Sequence, residues 1–243
     1  MKLRNPLILP AILMGSLFFI SCKKDDIKNN ACRIVTISEE SASGSAVVHN
    51  ITYNNDGKIS TLQSSGTFNT NKVFNYTGNT IIVTTSGNNN PSRKDSITLN
   101  SQGRPVNIRQ YFSGTNFDNY VFEYDGNGEL LKNQKISNGS TTPETTIYTN
   151  QNGNIASIKT SFSTVNLEYF NNKAVQQGDY LEVLSLIAYG VSIYPHKNLV
   201  KSIVSDNSIT NYDYEFNSEG VITKITATGN SGVGTITYQY QCN

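Results

Sequence analysis

The stretch Tyr53-Asn-Asn-Asp-Gly-Lys-Ile-Ser-Thr-Leu62 decides the fold, because its pattern recurs along the chain. Clear copies begin at Tyr148 and Phe216, and in all three an apolar residue stands two and five positions after the glycine. Degenerate copies surround Gly103 and Gly128. Asn, Asp and Gly tolerate the positive φ of tight turns, and the flanking aromatic and aliphatic residues favour strands. Each copy therefore predicts a β-hairpin, and the fold is built from one repeated unit.

The spacing after the glycine predicts a local irregularity in each hairpin. Strict alternation would bring positions +2, +4 and +6 to one face of a strand. Apolar residues at +2 and +5 instead change face, which predicts a β-bulge or a strong local twist just after the turn. Elsewhere the alternation is regular, as in Ile236, Tyr238 and Tyr240, with Ser, Thr and Asn between apolar positions. This pattern is typical of an antiparallel sheet with one polar face.

The number of strands predicts a curved sheet. Hairpins and plain strands together amount to roughly 14–16 strands, whereas an open twisted sheet seldom exceeds about ten without curling or splitting. We therefore expect an all-β fold, an antiparallel meander that is strongly curved or barrel-like. Ala, Leu, Glu and Lys are too scarce for a helical bundle, and aromatic residues are too plentiful for a disordered chain. Whether the sheet closes is open at this stage.

One stretch, about residues 177–190, departs from the strand pattern. Leu181, Leu184 and Ile187 recur at helical spacing, and Gly190 is a suitable C-terminal stop. The stretch predicts one short helix that plugs or caps an end of the curved sheet. A pair of buried strands is the alternative, because short apolar runs do not separate the two by periodicity.

The first residues indicate an exported protein. Basic residues precede the apolar run Leu7–Ile20, which is shorter than the roughly 20 residues of a transmembrane helix. A buried core helix is the alternative. The run ends in Phe19-Ile-Ser-Cys22, which resembles the lipobox of bacterial lipoproteins. The resemblance implies lipidation of Cys22 after cleavage, so that residues 1–21 are a signal peptide, 22–31 a lipidated tether and 32–243 a single β domain.

The residues after Cys22 carry a second resemblance. The run Lys23-Lys-Asp-Asp26 is similar to the export tag of Bacteroidetes surface lipoproteins, although a solvated tether would have the same composition. The tag implies an outer-membrane protein at the cell surface, with the membrane as its partner through the lipid. Each buried CH₂ contributes roughly 0.8 kcal/mol, and two or more acyl chains give stable anchoring.

Two further cysteines stand near the two ends of the β domain. Cys32 follows the tether, and Cys242 is the penultimate residue. Disulfides persist in exported proteins. Our hypothesis is that these cysteines pair and join the first strand to the last, with two unpaired thiols as the alternative.

The turn phrases, the lipobox and the ending Tyr238-Gln-Tyr-Gln-Cys242 together resemble a family of Bacteroidetes lipoproteins with a porin-like fold and no assigned activity. The segment Pro195–Ile203 is also similar to that family. The resemblance implies a many-stranded meander curved toward a barrel over residues 32–242. More weakly, the phrases are similar to the tyrosine-aspartate (RHS-type) repeats of wall-associated and toxin-shell proteins, although the chain lacks their regular Gly-Arg spacing.

The sequence argues against several function classes. A formal net charge of +1 gives no attraction for nucleic acid. His49 and His196 stand apart from any set with zinc spacing, and the chain contains no Gly-x-Ser-x-Gly motif. We therefore predict no catalytic residue, metal or cofactor. The expected function is that of a non-enzymatic binding or structural β-module on a surface lipoprotein, tethered rather than membrane-spanning, with its oligomeric state open.

The alternative is a glycan-binding accessory protein of an outer-membrane uptake system; a protein ligand is a further possibility. Tyr180, Tyr189 and Tyr194, around the helical insert, are the candidates for stacking on sugar rings, and ordinary core packing is the competing interpretation. Asp95-Ser96-Ile97 resembles the acceptor of Bacteroidetes O-glycosylation, which makes Ser96 a candidate modification site.

Overall fold

The computed structural model describes residues 32–87, 90–113, 116–205 and 208–242. The predicted signal peptide, Cys22 and the tether lie outside the described residues. The described part of the chain contains sixteen strands and one helix in this order: β1 (Arg33–Glu40), β2 (Ala46–Tyr53), β3 (Ile59–Gly66), β4 (Thr70–Thr77), β5 (Thr80–Gly87), β6 (Asn90–Leu99), β7 (Pro105–Ser113), β8 (Asn116–Tyr124), β9 (Leu130–Ser137), β10 (Glu144–Gln151), β11 (Asn154–Lys159), β12 (Thr164–Ala174), α1 (Tyr180–Tyr189), β13 (Asn198–Ser205), β14 (Ser208–Phe216), β15 (Ile222–Gly229) and β16 (Gly232–Gln241).

The strands form a closed antiparallel barrel in meander order. Every strand pairs with its neighbours in sequence, and β1 closes the sheet by pairing with β16, where Ile37 lies opposite Tyr238. Next to this seam Cys32 and Cys242 form a disulfide, with their Cα atoms 4.0 Å apart. The expected curved meander and the expected cysteine pairing are both confirmed, and the open question of closure is answered.

The barrel has two different ends. The near mouth, as we name it, holds Cys32, Cys242 and the tight turns at 54–58, 100–104, 125–129 and 217–221. In each of these turns the first side chain, Asn or Asp, accepts hydrogen bonds from two backbone N–H groups further on, as Asn54 does from Asp56 and Lys58. The far mouth is the opposite end, with the connections 41–45, 138–143 and 160–163.

The predicted bulges lie directly after the near-mouth turns. The register of β2 and β3 shifts between the pairs Tyr53–Ile59 and Thr52–Thr61, and equivalent shifts follow the turns at 100–104, 125–129, 152–153 and 217–221. Because one residue is added, Ile59 and Leu62 both point into the barrel and are buried. The +2 and +5 spacing is thus the sequence signature of a turn followed by a bulge.

The tyrosine that ends a strand also joins neighbouring hairpins. The Tyr76 hydroxyl donates to the backbone carbonyl of Ile59, the first residue after the preceding turn, at 3.0 Å. Four further tyrosines make the equivalent bond to the neighbouring hairpin or strand: Tyr53 to Ile34, Tyr124 to Pro105, Tyr169 to Ile155 and Tyr240 to Ile222. Lys58 lies over the Tyr76 ring at 5.0 Å, a cation–π contact. Each accepting carbonyl belongs to a residue at a register shift of the strand ladder.

The helix α1 lies inside the barrel and crosses it. Asp179 caps its N-terminus, where the Tyr180 ring lies 4.3 Å from the Tyr212 ring of β14. At the other end Lys72 of β4 donates to the carbonyls of Ile187 and Ala188 at 2.6 and 2.9 Å. The predicted short helix is confirmed, and its two ends contact strands on different sides of the barrel interior. No helix in the described ranges is long and apolar enough to cross a membrane.

The ends and buried face of α1 follow from its sequence. Gly190 adopts φ +70° at the C-cap, a left-handed conformation that glycine adopts without the steric cost of a Cβ, and its N–H donates to the Leu186 carbonyl. The predicted apolar stripe was wrong at Leu184, which is 40% exposed, whereas Val183 and Ser185 are buried. The barrel surrounds the helix, so its burial does not follow a single stripe.

The outer wall of the barrel carries polar side chains at mid-height, with exposed apolar ones such as Val121, Ile147 and Ile209 elsewhere. Side chains in the middle of six strands are exposed and polar or charged: Asn50, Gln63, Lys94, Arg109, Asp213 and Gln239. Ion pairs join neighbouring strands on this face, as between Lys132 and Glu123 at 2.6 Å. Most apolar side chains point inward, where they form one core with α1.

Candidate functional site

A buried ion pair fastens the start of α1 to the barrel. Asp179 is fully buried, and its Oδ1 accepts from His196 Nε2 at 2.7 Å. Its Oδ2 accepts from the backbone N–H of Val200 at 3.2 Å and from the Tyr214 hydroxyl at 3.1 Å. We name Asp179, His196 and Tyr214 the latch. It holds the helix against β13 and β14, and its carboxylate also caps the helix through the N–H of Leu181.

Both ring nitrogens of His196 face acceptors in the latch, which favours the doubly protonated ring. Its Nδ1 lies 2.7 Å from the Tyr194 carbonyl, which can only accept, and its Nε2 faces the carboxylate. Burial lowers the pKa of His196, but the hydrogen bond and charge of Asp179 outweigh it, so the pKa is raised above its usual value. With both nitrogens donating, the ring has no lone pair for general-base chemistry.

Glu182, one turn into α1, lies at the near mouth. Burial raises its pKa to about 7, although the N–H of Gly178 donates to its Oε2 at 3.0 Å and favours the ionised form. The carboxyl faces a cavity of about 360 Å³ between α1 and the wall, lined by Tyr53, Tyr76 and Leu186 among others. Glu182 therefore changes its charge near neutral pH inside a largely apolar cavity.

The far mouth contains a second, cationic cavity of about 460 Å³. Lys72 and Arg93 line its wall, and Phe68 and Phe112, which are 50% and 44% exposed, line its entrance. Ile187 of α1 is also part of the lining, so the helix closes the cavity toward the barrel interior. We name this cavity the far pocket.

The charges of the far pocket are arranged around one buried acid. Arg93 donates from Nε and Nη2 to Asp95 Oδ2 at 3.1 and 2.7 Å. Burial raises the pKa of Asp95, and the Arg93 hydrogen bond and charge oppose this rise. Burial, together with the charge of Arg93, lowers the pKa of Lys72 to about 8. Two cationic groups of the pocket lining thus stand near one buried carboxyl group.

A polar groove of about 460 Å³ continues the far pocket onto the outer wall. It lies where β3 and β4 pair over few residues, and amide side chains line it: Asn50, Gln63, Asn69 and Asn71. The groove and the pocket share Ser64, Thr70, Ser86 and Gly87. The two depressions therefore lie next to each other at the far ends of β3, β4 and β5.

Ser64 belongs to a set that has the composition of a catalytic triad. His49 Nδ1 lies 2.8 Å from the Ser64 hydroxyl, and His49 Nε2 lies 3.7 Å from Glu39 Oε2. The second distance exceeds a hydrogen bond, so the acid does not orient the ring. His49 is 1% and Ser64 6% exposed. We interpret the set as a cross-strand polar contact, because the nucleophile has too little exposed surface for attack on a substrate carbonyl.

The three tyrosines that the sequence nominated for ligand stacking are all partly buried and packed against the core. Tyr180 pairs with Tyr212, and the Tyr194 ring lies 6.3 Å from that of Tyr148. Burial raises the pKa of Tyr189 to about 12. A stacking function for these residues stays a prediction, and the contacts that they make are those of packed interior side chains.

Ser96, the candidate acceptor of O-glycosylation, lies on the outward face of β6. It is half-buried and stands opposite Ile82 of β5 and Arg109 of β7 in the paired sheet. The acidic residue of its motif, Asp95, points into the barrel and is buried. The modification stays a prediction, as does lipidation of Cys22.

Sequence reasoning missed the far pocket. In β4, Lys72 stands two and four positions before Phe74 and Tyr76, so the three side chains point to the same face of the strand. In β6, Arg93 has the same spacing to Asp95 and Ile97. Charged residues in phase with inward apolar ones are unusual, because burying a charge without a partner is costly. The inward-facing positions of Lys72 and Arg93 were therefore a sequence signal for the pocket.

Comparison with known proteins supports the fold. A porin-like protein from Bacteroides uniformis matches with a TM-score of 0.66 and 15% sequence identity, covering 86% of this chain and 98% of that chain. A porin-like protein from Bacteroides vulgatus matches with a TM-score of 0.57 and 14% identity, with the same coverage. No protein-family model and no curated protein matches the sequence.

These likenesses show a porin-like fold, as the family resemblance implied. At sequence identities of 14–15%, the likeness supports a shared fold and does not indicate a shared function. Membership of a lipoprotein family and similarity to tyrosine-aspartate repeats stay predictions from the sequence.

Proposed function

We propose that this protein is an outer-membrane lipoprotein, held at the cell surface by acyl chains on Cys22, whose barrel is a non-enzymatic binding module. The observation that carries the proposal is the position of α1 across the barrel interior. A binding module needs a rigid scaffold with an accessible surface, and a plugged barrel supplies both.

The attachments of α1 support a module that does not conduct. The latch fixes the N-terminal end of the helix to β13 and β14, and Lys72 fixes the C-terminal end to β4. Removing one partner of a buried charged pair costs about 3–5 kcal/mol, so opening the interior would be expensive. The helix is therefore a permanent part of the interior rather than a gate.

The outer wall supports attachment by lipid rather than by the barrel. A barrel that spans a bilayer presents an apolar band about 25 Å tall, and a Lys or Arg at the midplane costs roughly 2–4 kcal/mol. Here Lys94 and Arg109 are exposed in the middle of β6 and β7. Asp213 holds the same position in β14.

The chain enters the barrel at the near mouth. Cys32 begins the described part of the domain there, so a tether at this residue leaves the far mouth as the end most distant from the attachment point. Non-enzymatic action is supported by the two histidines, since His196 has both nitrogens engaged and His49 is buried against Ser64.

Exchange of the leader tests the anchoring. Residues 1–22 are replaced by a secretion signal that is cleaved without lipidation, and membrane and soluble fractions of the native host are compared. We expect the unaltered protein in the membrane fraction, with an acyl mass on Cys22, and the exchanged protein in the soluble fraction. An exchanged protein that stays in the membrane after alkaline extraction would contradict the proposal, because the barrel itself would then be inserted.

Planar-bilayer recordings test the absence of conduction. The purified full-length protein is added to the bilayer beside a general porin as a positive control. We expect no channel openings from this protein. Openings that disappear when the chain is digested would show that the barrel conducts and would refute its function as a closed module.

A further inference from the structure

We propose that the far pocket and the groove next to it bind an acidic oligosaccharide, whose carboxylate is held by Lys72 and Arg93. The inference rests on the proposed function, because it names the ligand of the same module. Its residues come from β2 to β7, from the connection between β3 and β4, and from α1, so the site depends on the pairing of neighbouring strands and on the position of the helix.

Lys72 and Arg93 each have N–H groups beyond those that donate to α1 and to Asp95. Lys72 has three N–H groups, of which two donate to the carbonyls of Ile187 and Ala188. Arg93 uses two of its five N–H groups on Asp95. Among the described residues the remaining groups have no partner. Two neighbouring cations with free donors fit a carboxylate, which accepts through two oxygens.

The entrance of the pocket is aromatic. Phe68 and Phe112 are large, apolar and about half exposed, although a folded protein gains by burying such side chains. A sugar ring presents one apolar face of C–H groups beside polar edges, and an aromatic ring can cover that face. Paired with cations deeper in the pocket, the two rings favour a ligand that is both acidic and partly apolar.

The groove supplies the complementary polar contacts. The amides of Asn50, Gln63 and Asn69 can each donate and accept, which suits the hydroxyl groups of a sugar. The groove and the pocket each measure about 460 Å³ and share four lining residues, so two neighbouring depressions, each larger than a single small anion, lie at this part of the rim. An acidic oligosaccharide matches the charge and the hydrogen-bonding groups of this surface.

An array of oligosaccharides tests the inference on the purified full-length protein. The array pairs uronic-acid and sialic-acid oligosaccharides with their methyl esters, which keep the sugar but lack the negative charge, and includes neutral chains of equal length. We expect binding to acidic members and at least tenfold weaker binding to the matching esters, as the loss of a charge-assisted hydrogen bond predicts. Equal binding of acid and ester, or no binding to any acidic member, would overturn the inference.

Three variants locate the site by titration calorimetry with the best acidic ligand. Lys72→Met keeps the apolar stem of the side chain and removes its charge, and we expect affinity to fall at least tenfold. Phe112→Ala removes an exposed ring and should weaken binding several-fold without disturbing the fold. Phe162→Ala is the control, because Phe162 is 89% exposed at the same mouth and does not line the pocket.

The outcomes separate this inference from the proposed function. If Lys72→Met fails to fold, Phe112→Ala and the ester comparison decide the result. Unchanged affinity in Phe112→Ala, or an equal loss in Phe162→Ala, would place the ligand elsewhere and overturn the inference. Membrane attachment through Cys22 and the absence of conduction would stand in that case, since their tests do not involve the far mouth.

Discussion

Replacing Glu182 with glutamine tests the electrostatics of the plug. Burial raises the pKa of this carboxyl from its ordinary 4.5 to about 7 in the folded protein. A raised pKa means that the folded state binds the proton more tightly than the unfolded state. The folded protein therefore loses stability as the pH rises from about 4.5 to about 7, where the buried carboxyl must ionise.

The size of the effect follows from the two pKa values. One pKa unit corresponds to about 1.36 kcal/mol, so the difference between 4.5 and about 7 amounts to about 3 kcal/mol. Glutamine removes the charge and can still accept from the Gly178 N–H. We expect Glu182→Gln to match the natural protein in stability near pH 4.5 and to exceed it by up to about 3 kcal/mol near pH 8.

Urea unfolding with the disulfide intact, followed by circular dichroism, measures both proteins across this range. Burial lowers the pKa of His196, but the hydrogen bond and charge of Asp179 raise it overall, so its contribution is lost as the pH rises in both proteins. The charge of Glu182 is the smallest of the causes that raise this pKa, so most of the His196 contribution cancels in the difference. Glu215→Gln is the matched control, because Glu215 is exposed on the outer wall beside Lys224. If the gain from Glu182→Gln were the same at both pH values, the reasoning would be refuted.

Three further predictions concern stability. Changing Cys32 and Cys242 together to serine should lower the free energy of unfolding by about 5 kcal/mol, as denaturant unfolding would show, because the disulfide closes a loop of more than two hundred residues. Asp179→Ala should cost about 3–5 kcal/mol and speed amide exchange in α1, since it leaves His196 buried without its partner; unchanged exchange would contradict the latch. Gly190→Ala should lower the melting temperature more than Gly103→Ala: both residues have positive φ, but a Cβ at Gly190 would lie 2.4 Å from a phenylalanine ring, whereas Gly103 is in open space.

The near-mouth hairpins could be predicted from the sequence because their determinants are local. In the stretch from Tyr53 to Leu62 the turn, the bulge and the inward-facing residues are all set by positions within ten residues of one another. Closure could not be predicted in the same way. The pairing of β1 with β16 joins residues at opposite ends of the domain, and the only sequence signal for it was the position of Cys32 and Cys242.

The inward phase of Lys72 and Arg93 was a sequence signal for the far pocket, but the geometry of the pocket could not be predicted, because it depends on how the strands and α1 assemble. Lys72 meets the carbonyl of Ile187 across 115 residues of sequence, and Arg93 reaches the same cavity from another strand. No local sequence pattern brings Lys72, Arg93 and Ile187 together, since their positions in space depend on strand register, barrel closure and the direction in which α1 crosses the interior. The three candidate tyrosines were proposed from their position near the helical insert; they are partly buried and packed against the core, and a stacking function stays a prediction.

Lys72 contacts the end of α1 and also lines the far pocket. One variant at this residue therefore tests both the attachment of the helix and the binding of the ligand. A ligand that binds only the folded state raises its stability by RT ln(1 + [L]/Kd). Lys72→Met should therefore lose intrinsic stability, since the carbonyls at the end of α1 lose their donor, and also most of the stabilisation by an acidic ligand. Phe112→Ala should keep its intrinsic stability and lose only stabilisation by the ligand. A ligand that stabilised Lys72→Met as much as the natural protein would show that the cation holds the helix alone and takes no part in binding.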